Sequence, residues 1–386
     1  MTAMPTVAIY RTEILPLSET FVRDQALALE RWRPVLVGER EIGKLPLDGL
    51  EIRAPRHGPA SFLQKARGAL IRRANTASPE IMGIMRRLKP ALLHAHFGFD
   101  GVEAWPIARR LGIPLVVTLH GADITTHMRW FAEGRTGRRW KNYPGKLARL
   151  ARREHVWFVA VSDHIRAAAI AAGLPPERIV VRHIGIDPRR FTPSAPSPGQ
   201  RAPIILFLGR LVEKKGASYL LDAFERIQGT VAGARLVIAG DGPDAAALKK
   251  KAAGNPNISF LGAVPRETVL RLMAEARVFC LPSVTAESGD AEGLPLVLLE
   301  AQASGLPVVT SARGGATEGI VDGVTGFAFP ERDVAALARH LEALLTDDSL
   351  ADRMGEAGPG FIASTHDIAV CTRKLEELYD HAVAAA

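Results

Sequence analysis

Short apolar runs recur along the chain, separated by longer stretches of helical periodicity, which is the signature of βα units and a parallel sheet. In the first half the runs are Thr6 to Tyr10, Val35 to Val37, Ala91 to His94, Leu115 to Thr118, Trp157 to Val161 and Ile179 to Arg182. The second half repeats the plan with Ile204 to Leu208, Arg235 to Ala239, Ile258 to Leu261, Val278 to Leu281, Val308 to Thr310 and Gly326 to Phe329. Two α/β sheets are therefore expected. Between them, residues 191–203 (FTPSAPSPGQRAP) read as an exposed linker, because their prolines, serines and glycine continue neither a helix nor a central strand. The expected domains are 1–190 and 204–366. The final segment, 367–386, is helix-forming with no strand after it, so it either finishes the second domain or crosses back onto the first.

Composition narrows the class. A chain of 386 residues suits two domains of roughly 180 each, and 47% hydrophobic with 23% charged residues describes a packed protein. No run approaches the roughly 20 apolar residues of a membrane span, and the opening MTAMPTVAIYRTE lacks a basic region followed by an apolar one. With only Cys280 and Cys371, at most one bridge is available, so both are expected reduced and the chain cytoplasmic. Charge is uneven: residues 1–190 hold 31 Lys and Arg against 17 Asp and Glu, a net +14, and the rest carries −6. The basic half is expected to meet something anionic, with nucleic acid, a phospholipid surface and a diphosphate-linked acceptor all of the right sign. A merely solvated arginine-rich surface has the same charge.

Ligands of open parallel sheets sit beyond the carboxyl ends of the strands, so chemistry is sought in the loops there. After the first strand of the second half comes FLGRLVEKKG, with Gly209, Arg210, Lys215 and Gly216. The glycine permits close approach, and an Arg and a Lys spaced this way can share one diphosphate. AGDGPD reads first as a strand-to-helix turn with Asp241 capping, and Gly262 to Val264 as a loop whose backbone could bond a flat base or simply turn. Glu292 ends a loop bearing Gly and Asp, Pro295 suits a helix start, and Glu300 falls in the apolar LVLLEA before Gly305. A carboxylate there needs a partner, and sugar or ribose hydroxyls or a structural arginine would serve.

In the first half, TLHGADI ends a strand with His120, followed by Asp123, and His120 can donate or accept near a reacting centre or be structural. His94, His96 and Asp100 cluster in LLHAHFGFDG, yet they share a face only briefly, and no metal site is expected. Ser18 and Thr20 are expected to cap a helix running to about Glu30. Residues 129–153 interleave Trp130, Phe131, Trp140 and Tyr143 with arginines and lysines, which suits a membrane interface, a single-stranded nucleic acid or a mobile solvated loop; peripheral contact with an anionic membrane is the expectation carried forward, without nucleic acid.

Taken together, GR…KG, AGDGP, FLG.VP, the paired glutamates and the strand-end HG.D resemble the retaining glycosyltransferases of family 4 with the GT-B fold, two Rossmann-like parallel-sheet domains facing across a cleft. The resemblance covers essentially the whole chain, and LSETFVRDQ with HAHFG is similar to the branch that builds exopolysaccharides such as colanic acid and amylovoran. It implies transfer of a sugar from a nucleotide-diphosphate sugar (UDP- or GDP-linked) to a glycan or polyprenyl-diphosphate-linked acceptor, with no separate cofactor. In that reading Gly209, Arg210 and Lys215 hold the diphosphate, Gly262 and Val264 the base, Glu300 the ribose, and Glu292 with Gly293 and Leu294 the transferred sugar. His120 stands near the reacting carbon, and Ser18, Glu19, His96 and Asp123 on the acceptor or phosphate side. The chain has no Asp-x-Asp triplet, the metal-diphosphate handle of the other large glycosyltransferase fold. It departs from the family in lacking a Gly-Gly pair at Pro16 to Thr20, and in reading EGLPLVLLEA where many members have EGFGLPVLEA. A nucleotide-sugar epimerase or hydrolase, a non-catalytic sugar-nucleotide-binding subunit, and a basic nucleic-acid binder are the competing readings.

Overall fold

The computed structural model describes residues 4–14, 16, 19–42, 46, 47, 49–59, 61–74 and 76–386, which form two compact units. The first unit opens with β1 (Thr6–Tyr10), β2 (Glu13–Ile14), α1 (Thr20–Leu27), β3 (Arg33–Val37), β4 (Arg40–Glu41) and β5 (Glu51–Arg53). Helices α2 (Phe62–Arg73) and α3 (Pro79–Leu88) lead to β6 (Leu92–His96), and α4 (Gly98–Leu111) leads to β7 (Leu115–Leu119). Then α5 (Ala122–Thr125), α6 (Met128–Glu133) and α7 (Tyr143–Ala151) precede β8 (Val156–Ala160), and α8 (Asp163–Ala171) precedes β9 (Ile179–Val181).

Seven of these strands pair in parallel in the order β5-β3-β1-β6-β7-β8-β9. Strands β1, β6 and β7 are buried at every position because helices cover both faces, which explains why they read as unbroken apolar runs. The chain order reverses between β1 and β6, and that point opens a crevice beyond the strand ends.

The second unit, Ile186–Asp367, contains β10 (Ile204–Leu208), α9 (Ala217–Ile227), β11 (Arg235–Ala239), α10 (Ala245–Lys251), β12 (Ile258–Gly262) and α11 (Arg266–Glu275). It continues with β13 (Val278–Leu281), α12 (Leu296–Ala303), β14 (Val308–Ser311), β15 (Gly326–Phe329), α13 (Val334–Thr346) and α14 (Asp348–Thr365). Its parallel sheet runs β12-β11-β10-β13-β14-β15, so the reversal falls between β10 and β13.

Residues 191–203 fall within the second unit instead of between the two, with Phe191, Pro198, Gly199 and Arg201 buried and six of the others exposed. They pack into the second unit, where the buried Arg201 guanidinium donates to the carbonyls of Ser194, Pro196, Met273 and Ala276. One side chain with five donors satisfies a proline-rich stretch that could not pair in a sheet. The last helix, α15 (Ile368–Ala384), belongs to the first unit, and Leu375, Leu378, Tyr379 and Ala382 complete a core with Val7, Leu36, Leu92 and Val116. Its Glu376 Oε1 accepts from the backbone N–H groups of Glu30, Arg31 and Trp32 at 2.9, 2.6 and 3.2 Å.

Candidate active site

In the second unit the chain leaves β10 through Gly209 and Arg210 and forms a short 3-10 turn, Glu213–Lys215, closed by Gly216. Gly216 sits at φ +69° with the Pro282 carbonyl where a Cβ would go, so only glycine lets this turn seat against the end of β13. Its effect is to bring two consecutive lysines beside the loop after β13. Lys215 Nζ lies 3.0 Å from Glu292 Oε1, and Lys214 Nζ lies 3.1 Å from Asp290 Oδ1. Burial alone would raise the Glu292 carboxyl, but Lys215 and Lys214 outweigh it and hold the group below the usual carboxylate range. Arg210 is exposed and makes no ion pair among the described residues. The cluster lies at the carboxyl ends of β10 and β13, the reversal point of this sheet.

Around it the other candidates are placed by the adjoining strands. Gly240, at φ +140°, lies against the Gly209 carbonyl, and its N–H donates to the Gly262 carbonyl at 2.7 Å. Gly262 has open space on its Cβ side, and Val264 is half-buried two residues on. Gly293 and Leu294 are buried directly before α12, and Glu292 is fixed through its carbonyl, which accepts from Gly315 at 3.0 Å. Glu300 is half-buried on α12 between the fully buried Leu299 and Ala301. The structure thus groups Gly209, Arg210, Lys215, Glu292 and the segment entering α12. Lys214 and Asp290 belong to the same group and were passed over in the sequence, although KK and the GDAEG loop carry them.

In the first unit the hub is Arg11, just after β1 and unnoticed from sequence. Its guanidinium donates to both Glu19 carboxylate oxygens at 2.9 and 2.5 Å, to the His96 carbonyl at 2.7 Å and to the Asp100 carboxylate. The Thr12 hydroxyl donates to the other Asp100 oxygen. Glu19 is therefore an arginine partner at the start of α1 and not an open acceptor contact; Ser18 lies outside the described residues.

His120, after β7, is wedged between the rings of Phe21 and Phe97, with Nε2 3.1 Å from His96 Nδ1. Burial, reinforced by the Arg11 charge, pushes its pKa well down, so the imidazole is neutral. His96 is 1% exposed and stands behind His120, which corrects its expected place on the acceptor side; its Nε2 has no hydrogen-bond partner among the described residues. Asp123 is corrected likewise: 1% exposed, its carboxylate accepts from the backbone of Gly98, His120 and Gly121 at 2.8, 3.1 and 2.9 Å. It ties the loops after β6 and β7 together, with both carboxylate oxygens accepting from backbone.

Of the aromatic residues of 129–153, two are buried and two, Trp130 and Trp140, are half-buried. Phe131 and Tyr143 are buried, Tyr143 donates to the Asp123 carbonyl at 2.7 Å, and Trp140 packs on Phe99. Packing explains rings that sequence assigned to a lipid interface. Beyond β1, a pocket of about 560 Å³ is lined by six cations, among them Arg40, Arg56 and Arg139, and by three carboxylates, Glu13, Glu39 and Glu103. No helix among the described residues is long and apolar enough to cross a membrane, and no cluster of metal-ligating side chains is found among them.

Two family models meet at residue 190: Glycosyltransferase Family 4 over residues 19–190 and Glycosyl transferases group 1 over residues 190–361. Together the two models cover residues 19–361, and the chain has the GT-B fold of the group 1 and family 4 glycosyltransferases. The amylovoran biosynthesis glycosyltransferase AmsK of Erwinia amylovora is 34% identical over 249 residues, 63% of this chain and 58% of that protein. The GDP-mannose-dependent alpha-(1-6)-phosphatidylinositol monomannoside mannosyltransferase of Mycolicibacterium smegmatis is 33% identical over 269 residues, 66% of each. The crystal structure of Anabaena Alr3699/HepE in complex with UDP and glucose matches at a TM-score of 0.76 and 17% identity, over 98% of this chain and 100% of that one. This chain spans about three-fifths of the length of the first curated relatives it matches. Arg210, Lys215, Glu292 and Glu300 all fall in the group 1 half of this GT-B chain, and His120 falls in the family 4 half.

Proposed function

We propose that the protein transfers a sugar, with retention of anomeric configuration, from a nucleotide-diphosphate sugar to a glycan or polyprenyl-diphosphate-linked acceptor in exopolysaccharide synthesis. The observation that carries this reading is the Lys215–Glu292 pair with exposed Arg210 at the reversal point of the second sheet. As the bond from the sugar carbon to the diphosphate oxygen breaks, negative charge grows on the leaving phosphates. Preorganised cations at Arg210 and Lys215 stabilise that charge. Glu292, held ionised, accepts from the hydroxyls of the transferred sugar, Glu300 from the ribose, and Gly262 and Val264 receive the base. The acceptor hydroxyl attacks the same face, and its proton passes to the departing phosphate oxygen.

On the first unit, the neutral His120 donates to or accepts from the sugar, and the arginine-lined pocket takes the anionic end of the acceptor. The relatives named above include one that is GDP-mannose-dependent and one bound to UDP, so either base fits the reading. Incubation with UDP- and GDP-sugars and short polyprenyl-diphosphate sugars, followed by NMR of the product, tests it. The expected result is a new glycosidic bond of the donor's configuration. An inverted linkage overturns retention, and free or epimerised sugar formed without acceptor favours the hydrolase or epimerase reading.

A further inference from the structure

Behind His120 lies a second imidazole that the sugar chemistry does not touch. His96, at the end of β6, is 1% exposed, and its Nδ1 is 3.1 Å from Nε2 of His120. The two rings are within 25° of parallel with centroids 5.3 Å apart, which sets them edge to edge, as an in-plane N–H···N bond requires. The other nitrogen of His96, Nε2, is buried with no hydrogen-bond partner among the described residues. The neighbouring His94 ring, 4.4 Å away between centroids, cannot supply one, because Tyr379 and Thr118 engage both of its nitrogens.

One proton sits in the contact between His96 and His120. Burial keeps both imidazoles neutral, so each ring has a single N–H and the tautomer of one dictates that of the other. Donation from Nε2 of His120 would put the proton of His96 on its Nε2, a buried N–H with no acceptor. Donation from Nδ1 of His96 leaves Nε2 as a bare ring nitrogen and strands no donor. Buried N–H groups without an acceptor are rarer in folded proteins than unused acceptors, which favours the second arrangement.

We propose that His96 is a positioning residue, donating from Nδ1 to Nε2 of His120 and fixing His120 as the tautomer with its proton on Nδ1. Nδ1 of His120 has no hydrogen-bond partner among the described residues, and its ring is partly exposed, so it meets a ligand as a donor. His120 therefore binds a substrate oxygen and has no lone pair free to take the proton of an acceptor hydroxyl. The inference rests on the transferase reading only in making that oxygen a sugar hydroxyl; the tautomer belongs to the chain alone.

The full chain, labelled with nitrogen-15 in its histidine rings, is studied by long-range proton–nitrogen NMR without sugar nucleotide, His96→Asn and His120→Asn assigning the signals. Both His96 and His120 should show a protonated Nδ1 and a bare Nε2. His96→Phe keeps a buried ring but removes the donor, and should let His120 shift toward the other tautomer; His96→Asn, whose amide nitrogen falls near the place of Nδ1, should preserve it. In transfer assays His96→Phe should lower kcat by about tenfold or more while the KM for the sugar nucleotide changes less than about threefold, and His96→Asn should restore most of the rate. A protonated Nε2 on His120 in the unaltered chain, an unchanged His120 tautomer in His96→Phe, or equal kcat in those two proteins each overturns the proposal. If the unaltered chain transfers no sugar, the transferase reading fails, and the spectra of the unaltered chain still decide the part played by His96.

Discussion

Arg11 shows how one side chain can organise the end of a sheet. It joins the loop after β1 to α1 through Glu19 and to the start of α4 through Asp100, two elements that follow different strands. Behind it stand three imidazoles kept neutral by burial. His94 is enclosed between the hydroxyls of Tyr379 and Thr118 at 2.6 and 2.7 Å, and burial pushes its pKa down to about 3. Above about pH 6.5 the imidazole is neutral folded or unfolded. As pH falls from there toward about 3, the unfolded chain gains a proton that folded His94 refuses, so stability falls. The expected slope is about 1.4 kcal/mol per pH unit for each such histidine. Urea unfolding at several pH values between about 5 and 7 should show His94→Asn with a shallower acid loss than the unaltered chain; an identical slope would mean that His94 titrates normally in the fold.

At the scale of elements, α15 is the piece whose role depends most on contacts remote in sequence. Glu376 caps three backbone N–H groups in the turn between α1 and β3, and Trp32 Nε1 donates to Asp380 at 3.0 Å. Removing the buried carboxylate leaves those donors unpaired, so Glu376→Ala should cost about 1–3 kcal/mol. Asp380→Ala, at a half-exposed pair with Arg31, should cost less than about 1 kcal/mol. Denaturant unfolding of both variants checks the order, and a reversed order would show that Glu376 does not hold this turn.

The same contrast governs what could be read from sequence. The twelve apolar runs all became strands; those inside each sheet are covered on both faces, whereas the edge strand β12 is half-exposed and was still legible from its apolar residues. The edge strand β5 (EIR) and the two-residue β2 and β4 were missed, having too few apolar positions to stand out. Arg210, Lys215 and Glu292 were legible because they sit in short loops after strands, whereas Lys214 and Asp290 beside them were passed over. Asp123, His96 and residues 191–203 were misjudged because their environments come from Gly98, His120 and Met273, which pattern alone does not bring near. Whether 367–386 crossed back was likewise unreadable, since its partners at Glu30 and His94 lie hundreds of residues away.

Over the whole molecule, two sheets of related plan each place a charged cluster at the point where strand order reverses. The two clusters differ in kind. In the first unit Arg11 is satisfied by Glu19 and Asp100, whereas in the second Arg210 is exposed beside the Lys215–Glu292 pair. The first unit carries the excess positive charge and the second is net acidic. An anion-binding role for the second unit therefore rests on local placement and not on overall charge. The most direct measurement is titration calorimetry of UDP and GDP against the unaltered chain, Lys215→Ala and Arg210→Ala. One nucleotide should bind the unaltered chain at a single site, and each variant should weaken it by about tenfold to a hundredfold, as expected for a lost charge-assisted contact to phosphate. Binding of equal strength in all three proteins would contradict the account.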